Sequence, residues 1–435
     1  MNKLKVYTIS LGCPKNRVDT EHLLGSLQVP LVFTPHMGRA HIIFVNTCGF
    51  ILPAIEESVR TILEIIAHIS TLKKPPLLVV AGCLVGRFGI KDLSKDLPEV
   101  DLWLSNATLD TWAHDVAKAL DIAPNYVREG RILSTPKSYA WLKISDGCRH
   151  ACSFCMIPSI RGKHRSTPME KLILEAQTLL DQGVQELVLV AQDVSSWGQD
   201  LAKDQNLRSL LEKLLPLKGL KWLRLMYLYP SGLTDNLLAF IKEATQDNIL
   251  LPYFDIPMQH AHEDILQRMG RPFAKDPYRV VEKVRSYVPH AALRTSMIVG
   301  FPGEEDIHFA TLRNFITETK LHHVGVFSFQ PEEGTKAALM PSQVEDELKE
   351  ERKAIIMDIQ AEISAQILEQ ELGSEQNVLV DREHDEWPGL HVGRVWFQAP
   401  EVDGITYISG NNVTSGNMVK AQIVENNDYD LTALA

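Results

Sequence analysis

The sequence has no apolar run near the roughly 20 residues that span a bilayer, so no membrane segment is expected. The basic start, Met1-Asn2-Lys3-Leu4-Lys5-Val6-Tyr7, leads into an apolar stretch too short for a signal peptide. It reads as a first strand, and the protein as cytoplasmic. Positive charge is also scarce: 44 Lys and Arg stand against 55 Asp and Glu, a net charge of −11. That balance argues against broad, sequence-independent nucleic-acid binding, which rests on Lys and Arg, and fits a basic partner or a small substrate. Cysteine is sparse, at six in 435 residues, too few for a disulfide scaffold. In a reducing compartment clustered thiols point to metal instead. A chain of this length exceeds one core, so two or three domains are expected.

Three of the cysteines fall in Asp146-Gly147-Cys148-Arg149-His150-Ala151-Cys152-Ser153-Phe154-Cys155-Met156-Ile157-Pro158, a C-x3-C-x2-C array. Thiolates this close can converge on one soft metal centre. A [4Fe–4S] cluster normally takes four thiolates. Three leave one iron open, as catalysis needs and a purely structural site does not. Half a zinc site is the competing reading, since C-x2-C also occurs in zinc ribbons, with His150 as a nearby fourth ligand. The spacing resembles the radical S-adenosylmethionine (SAM) superfamily. That resemblance implies an open iron that chelates the amino and carboxylate groups of SAM, and reductive cleavage to a 5′-deoxyadenosyl radical.

Upstream, Lys5–Leu11, Ala40–Asn46 and Leu77–Ala81 read as strands, with a helix over Pro53–Thr71 carrying Ile55, Val59, Ile62, Leu63, Ile66 and Ile69 at helical spacing. Strands alternating with helices imply a parallel sheet. Cys13, Cys48 and Cys83 each sit just past a strand's carboxyl end, at equal intervals. In a parallel sheet those ends share the edge where ligands bind. A neighbouring glycine (Gly12, Gly49, Gly82) would let backbone approach a bulky ligand. A lone cysteine there would be a small core hydrophobe; three at equivalent ends read as a second three-thiolate cluster. Leu11-Gly12-Cys13-Pro14-Lys15-Asn16, Val45-Asn46-Thr47-Cys48-Gly49-Phe50 and Ala81-Gly82-Cys83 resemble the N-terminal domain of the methylthiotransferases. That family pairs this domain with a radical SAM domain, inserts sulfur into an unactivated C–H bond and methylates it. Asp92–Asp101 and Thr108–Leu120 suggest a further strand and helix, and Ala123–Lys137 a linker.

Six more strands follow: Ala140–Ile144, Glu186–Ala191, Trp222–Tyr227, Tyr253–Ile256, Leu293–Val299 and Val324–Phe329. With their helices they suggest an open (βα)6 partial TIM barrel, whose function sits at the carboxyl ends of strands. Polar residues gather there: Gln192 and Asp193, Tyr229, Gln259, and the turn Gly300–Glu304, where a glycine suits close backbone approach to SAM. Arg294 on the preceding strand would hold a carboxylate if it faces the lumen. Gln192, Asp193, Gln259, Arg294, Gly300 and Glu304 are the cofactor-binding candidates; the five with side chains could equally be structural polar residues, and the glycine turn, as a plain βα turn, needs no ligand. His260 and His262 read as structural. Arg161-Gly162-Lys163-His164-Arg165 is either a solvated face or a patch that steadies an anionic cluster; Ser159-Ile160-Arg161-Gly162 resembles the corresponding family segment.

Val344–Leu372 reads as one long helix ended by Gly373. The tail beyond it has short strands between glycine turns, suggesting a small OB-like β-barrel, and it looks like a TRAM domain. Its charge departs from RNA binding: ten acidic residues against three basic ones over 374–435, a net of −7. An acidic face repels phosphate and attracts basic protein. Together with Cys13-Pro14-Lys15-Asn16 and Ala399-Pro400-Glu401-Val402-Asp403-Gly404, it resembles the branch that modifies an aspartate on a small-subunit ribosomal protein, the RimO type, more than the branch that modifies tRNA adenosine. Arg149 departs from the family, which usually has Asn there.

The expected architecture is α/β, with a methylthiotransferase domain over 1–122, a radical SAM domain over 134–365 and a TRAM domain over 366–435. The resemblance implies two [4Fe–4S] clusters, on Cys13, Cys48 and Cys83 and on Cys148, Cys152 and Cys155, with SAM as cosubstrate. No catalytic residue is expected beyond the cluster ligands. The expected partners are a basic small-subunit ribosomal protein and an electron donor such as flavodoxin or ferredoxin, and the expected state is a monomer. A tRNA methylthiotransferase and a non-enzymatic two-cluster electron carrier are the alternatives.

Overall fold

A computed structural model describes residues 3–122, 130–202, 204–271 and 276–435. The first part of the expected linker, 123–129, lies outside the described residues. Strands β1 (Leu4–Ser10), β2 (Leu31–Phe33), β3 (Ile42–Thr47), β4 (Leu77–Gly82) and β5 (Leu102–Ser105) form a parallel sheet in the order β2-β1-β3-β4-β5. β3 is buried at every position, as a parallel strand covered on both faces requires. The covering helices are α1 (Pro14–Ser26), α2 (Leu52–Ile69), α3 (Cys83–Phe88), α4 (Ile90–Asp96) and α5 (Trp112–Ala119). Asp92–Asp101 is not the strand: α4 occupies its first half, and β5 begins just after it. β2 lies where no strand was expected: Leu31-Val32-Phe33 is an apolar run of three residues between Pro30 and Pro35, too short to stand out, and its side chains are largely exposed.

The central sheet contains β6 (Tyr139–Lys143), β9 (Glu186–Val190), β10 (Trp222–Leu225), β11 (Leu250–Asp255), β12 (Ala292–Val299) and β13 (His323–Ser328), in sequential order and all parallel. A short ribbon, β7 (Ser145–Asp146) with β8 (Arg165–Ser166), closes the cysteine loop between the first two. One sheet face carries Leu142, Leu187, Leu189, Leu223 and Phe254 against a helical layer. That layer comprises α7 (Met169–Asp181), α8 (Leu207–Leu214), α9 (Asp235–Ala244), α11 (Pro277–Tyr287) and α12 (Asp306–Thr319); α6 (Ile157–Arg161) belongs to the cysteine loop, and α10 (Glu263–Arg268) packs in a smaller cluster with Phe301 and Phe329. The long helix α13 (Asp346–Glu369) then leads to the tail.

The tail is a closed barrel of β14 (Glu375–Glu383), β15 (Leu390–Arg394), β16 (Thr406–Ser409), β17 (Met418–Asn426) and β18 (Leu431–Leu434). The last strand was not expected. Its core is continuous with the second face of the central sheet: Tyr139, Trp141, Val188, Trp222 and Tyr253 join Val378, Val380, Phe397 and Ile423 in one cluster. A largely buried ion network ties the two together. Arg394 bonds Glu186 at 2.6 Å and Asp381 at 2.8 Å, and Arg224 bonds Glu186 at 2.7 Å. No helix among the described residues is long and apolar enough to cross a membrane.

Candidate functional site

In the N-terminal sheet, Ser10, Asn46 and Ala81 are paired in register across β1, β3 and β4. The three cysteines follow at the same edge, two or three residues on. Strand order reverses between β1 and β3, the position at which open parallel sheets bind ligands. Asn16, in the first turn of α1, organises the trio. Its Oδ1 lies 3.8 Å from Cys13 Sγ and 3.6 Å from Cys83 Sγ. Its Nδ2 donates to Thr47 O (2.8 Å) and Asn46 Oδ1 (3.0 Å). Cys48 is held by Ser58, whose hydroxyl donates to its carbonyl (2.9 Å) and accepts from its N–H (3.1 Å). The flanking glycines serve this packing. A Cβ on Gly82, at φ 104°, would meet Asn46 Oδ1 at 2.3 Å, and one on Gly12 would meet Asn16 Nδ2 at 2.3 Å.

Cys13 opens onto the crevice although protein surrounds it. Burial pushes its thiol pKa up, but the Lys15 ammonium and Arg161 guanidinium more than reverse this, so it ends below the ordinary value. Burial leaves Cys48 at about 11 and raises Cys83 despite Arg161.

The second trio lies at the mouth of the central sheet. Cys148 N donates to Gly162 O at 3.3 Å, closing the loop, and Ser153 ties it to Met269 O (3.0 Å) and Arg268 O (2.8 Å). Burial raises Cys148 and lifts Cys155 to about 12. His150 is not free to act as a fourth ligand through Nε2, which bonds Asp193 Oδ2 at 2.7 Å, and its ring stacks on Tyr229 at 3.7 Å. Arg271, buried, lies over Tyr229 and points Nη1 at Cys152 Sγ from 3.8 Å. In both trios the donor set is all sulfur, which suits iron–sulfur chemistry. Among the described residues, the group that converges within 4.8 Å is His262, Asp264 and His308. Both histidines spend Nδ1 as acceptors for backbone N–H groups at helix starts.

The segments that carry the two trios are in contact. Helix α3, which opens with Cys83, packs on α6, which follows Cys155; at Gly86 a Cβ would lie 2.7 Å from Ile160 O. Arg161, at the end of α6, bonds Asn16 Oδ1 as well as Asp146 (3.0 and 3.1 Å) and Asp19 (3.2 Å). Lys143 bonds Asp19 and Asp146 from β6. Glu332, beyond the last strand of the sheet, accepts from Arg87 (2.8 Å) and from Leu52 N (2.7 Å).

The structure distributes the cofactor-binding candidates unevenly. Asp193 is at the cysteine loop through His150, with its other bonds to Ser195 and Ser196. Gln192 is beside it, with Nε2 3.3 Å from Asp146 Oδ1 and Oε1 buried without a partner among the described residues. Gln259 extends the sheet edge through its backbone, pairing with Ser296 and Ile298 at φ 76°. Gly300 and Glu304 turn toward α13: Glu304 bonds Gly300 N (3.0 Å) and Arg352 (2.9 Å) and lies 3.3 Å from His260. Arg294 faces the tail, bonding Asp255 (3.0 Å) and Asp403 (3.2 Å). Sequence reasoning missed Asp19, Lys143 and Arg271; none stands in a recognisable motif, and their partners lie far away along the chain.

Fold and site together define a radical SAM protein with an added domain at each end. The model of the Radical SAM superfamily matches residues 142–316, that of the TRAM domain residues 372–435, and that of the Uncharacterized protein family UPF0004 residues 5–105. The chain is 61% identical over 432 residues to the ribosomal protein uS12 methylthiotransferase RimO of Nitratidesulfovibrio vulgaris (strain Hildenborough), covering 99% of this chain and 100% of that one. It is 41% identical over 431 residues to the protein of the same name from Aquifex aeolicus, covering 98% and 96%. Its fold is similar to that of a radical SAM methyltransferase, TsrM from Kitasatospora setae, with TM-score 0.55 and 12% identity over 90% of this chain and 81% of that one. The chain belongs to the RimO family of methylthiotransferases.

Proposed function

We propose that this chain attaches a methylthio group to the β-carbon of an aspartate side chain of ribosomal protein uS12, in the cytoplasm. In this reading Cys148, Cys152 and Cys155 hold the cluster that binds SAM, and Cys13, Cys48 and Cys83 hold a second cluster with an open iron. When bound, these groups and SAM supply the deoxyadenosyl radical, the methyl group and the transferable sulfur. The chain itself binds, orients and excludes water. Arg161, Asn16 and Asp146 fix the separation of the two trios, and Asp193 orients the cysteine loop through His150. The tail barrel covers the second face of the sheet and offers its acidic surface to a basic protein. The domains divide near 122, 134 and 365, and a low-potential donor of the flavodoxin or ferredoxin type supplies electrons.

The observation that carries this reading is that Cys13 and Cys83 share Asn16, which Arg161 of the other cysteine loop grips in turn. The test is mass spectrometry of ribosomal proteins and tRNA from a deletion strain. Loss of a methylthio mass from uS12, restored by the wild-type gene and not by Cys48→Ala or Cys152→Ala, is expected. An unchanged uS12 with a methylthio-adenosine missing from tRNA would overturn it.

A further inference from the structure

We infer that Lys15 contacts the substrate, its ammonium holding the carboxylate of the aspartate to be modified. The inference rests on the proposed function and adds a specificity-determining residue to it. Lys15 lies two positions after Cys13 and reaches across the crevice to the central sheet. It is 8% exposed. Its Nζ sits 3.8 Å from the centroid of the Tyr227 ring and 3.5 Å from Ala191 O, the edge of hydrogen-bond range. Among the described residues it has no carboxylate within 4.0 Å. Lys143, Arg161, Arg224, Arg352 and Arg394, of comparable side-chain burial, each have at least one; Arg271, at the other cysteine trio, is the buried cation that shares the lack among the described residues, and it bonds Pro257 O and faces Cys152 instead. Taking an ammonium out of water without a counter-ion is costly, and a cation–π contact offsets only part of that.

Of the internal anions that act on it, the Cys13 thiolate is spent on the cluster in the proposed reading, and the one carboxylate, Asp255, is already committed. Its Oδ1 accepts from Arg294 and its Oδ2 from Tyr227 N, both at 3.0 Å. Tyr227 itself has φ 58°, an uncommon conformation for an aromatic residue and of the kind that clusters at ligand sites. That backbone places the ring under Lys15, and its hydroxyl has no hydrogen-bond partner among the described residues. A site with an unpaired ammonium and a spare phenolic donor, one turn from Cys13, is completed by a small anion. A side-chain carboxylate meets that need; a carboxamide or a nucleobase does not.

The test uses cluster-loaded full-length chain and intact uS12, wild type or with the modified aspartate changed to Asn. Wild-type enzyme should bind the aspartate form roughly ten- to a hundredfold more tightly than the Asn form, the worth of one charge-assisted hydrogen bond. Lys15→Met and Lys15→Gln should abolish that preference by weakening the aspartate form alone, while Lys15→Arg retains most of it. In a Cys152→Ala background, the potential of the remaining N-terminal cluster gives a separate readout. If the neutral variants keep the Asp/Asn preference, or shift only that potential, Lys15 serves the cluster's charge and the inference is wrong. If wild-type enzyme binds both forms equally although uS12 is its substrate, the inference also falls. If uS12 is neither bound nor modified, the proposed function itself has failed.

Discussion

Arg161 hydrogen-bonds Asn16 across the boundary between the N-terminal and central domains, on the same oxygen that Cys13 and Cys83 approach. The guanidinium is 1% exposed and meets two carboxylates, Asp19 at 2% and Asp146 at 14% exposure. Removing one partner of such a buried group leaves charges unpaired, at a cost of about 3–5 kcal/mol; Lys143 still pairs both acids, so the lower end applies. Arg161→Met should lower the denaturant midpoint accordingly, with Arg161→Lys recovering part. A loss below about 1 kcal/mol would mean that the bridge does not hold the domains together.

The tail barrel depends on Arg394 in the same way. It is 1% exposed, between a fully buried Glu186 and Asp381 at 12%. Arg394→Met should destabilise the chain by about 3–5 kcal/mol. Asp381→Asn in the same background should return part of the loss, because Asp381 is the carboxylate left without a cation, while Glu186 keeps Arg224. Additive losses in denaturation midpoints would contradict this.

Asp193 acts on the cysteine loop through His150. Asp193→Asn keeps the shape but weakens the bond to Nε2. Partners that orient a ligand loop typically contribute ten- to a hundredfold in metal affinity. Iron release to a chelator from the Cys48→Ala protein, which retains only the second trio, should be faster by about that factor. An unchanged rate would reduce the pair to packing.

His322 gives a pH dependence of known sign. Burial, then the neighbouring His323 and Arg285, depresses its pKa to about 3, against the weaker pull of Asp403. In the unfolded chain it titrates near 6.5. Below that the unfolded state takes up a proton that the folded state refuses, so stability is full above about pH 6.5 and falls as pH drops toward 3. The slope is at most about 1.4 kcal/mol per pH unit. His322→Gln should flatten the unfolding free energy between pH 6.5 and 5, where ordinary carboxylates do not titrate.

Much of this was legible in the sequence because parallel strands are written as continuous apolar runs. Ile42-Ile43-Phe44-Val45 and Leu187-Val188-Leu189-Val190 announce themselves, and a cysteine just beyond such a run is placed by the run. β2 was not legible, since Leu31–Phe33 is a run of only three residues between prolines, and neither was β18, whose four residues only close a barrel. Side-chain commitments were less legible still. Arg294 and Glu304 stand at strand ends like ligand-binding residues, yet their partners Asp403 and Arg352 belong to the tail and to α13. Nothing in a strand's own residues reveals a partner that distant. Lys15 shows the converse: its place in Cys13-Pro14-Lys15-Asn16 was visible, but its missing counter-ion was not.

The central claim, two separate three-thiolate cluster sites, is tested most directly by counting iron. Anaerobically reconstituted wild type should hold about eight irons per chain, two [4Fe–4S] clusters. Cys48→Ala and Cys152→Ala should each hold about four, with SAM cleavage surviving only in the former. Wild type saturating at about four irons, with Cys48→Ala unchanged from it, would contradict the account.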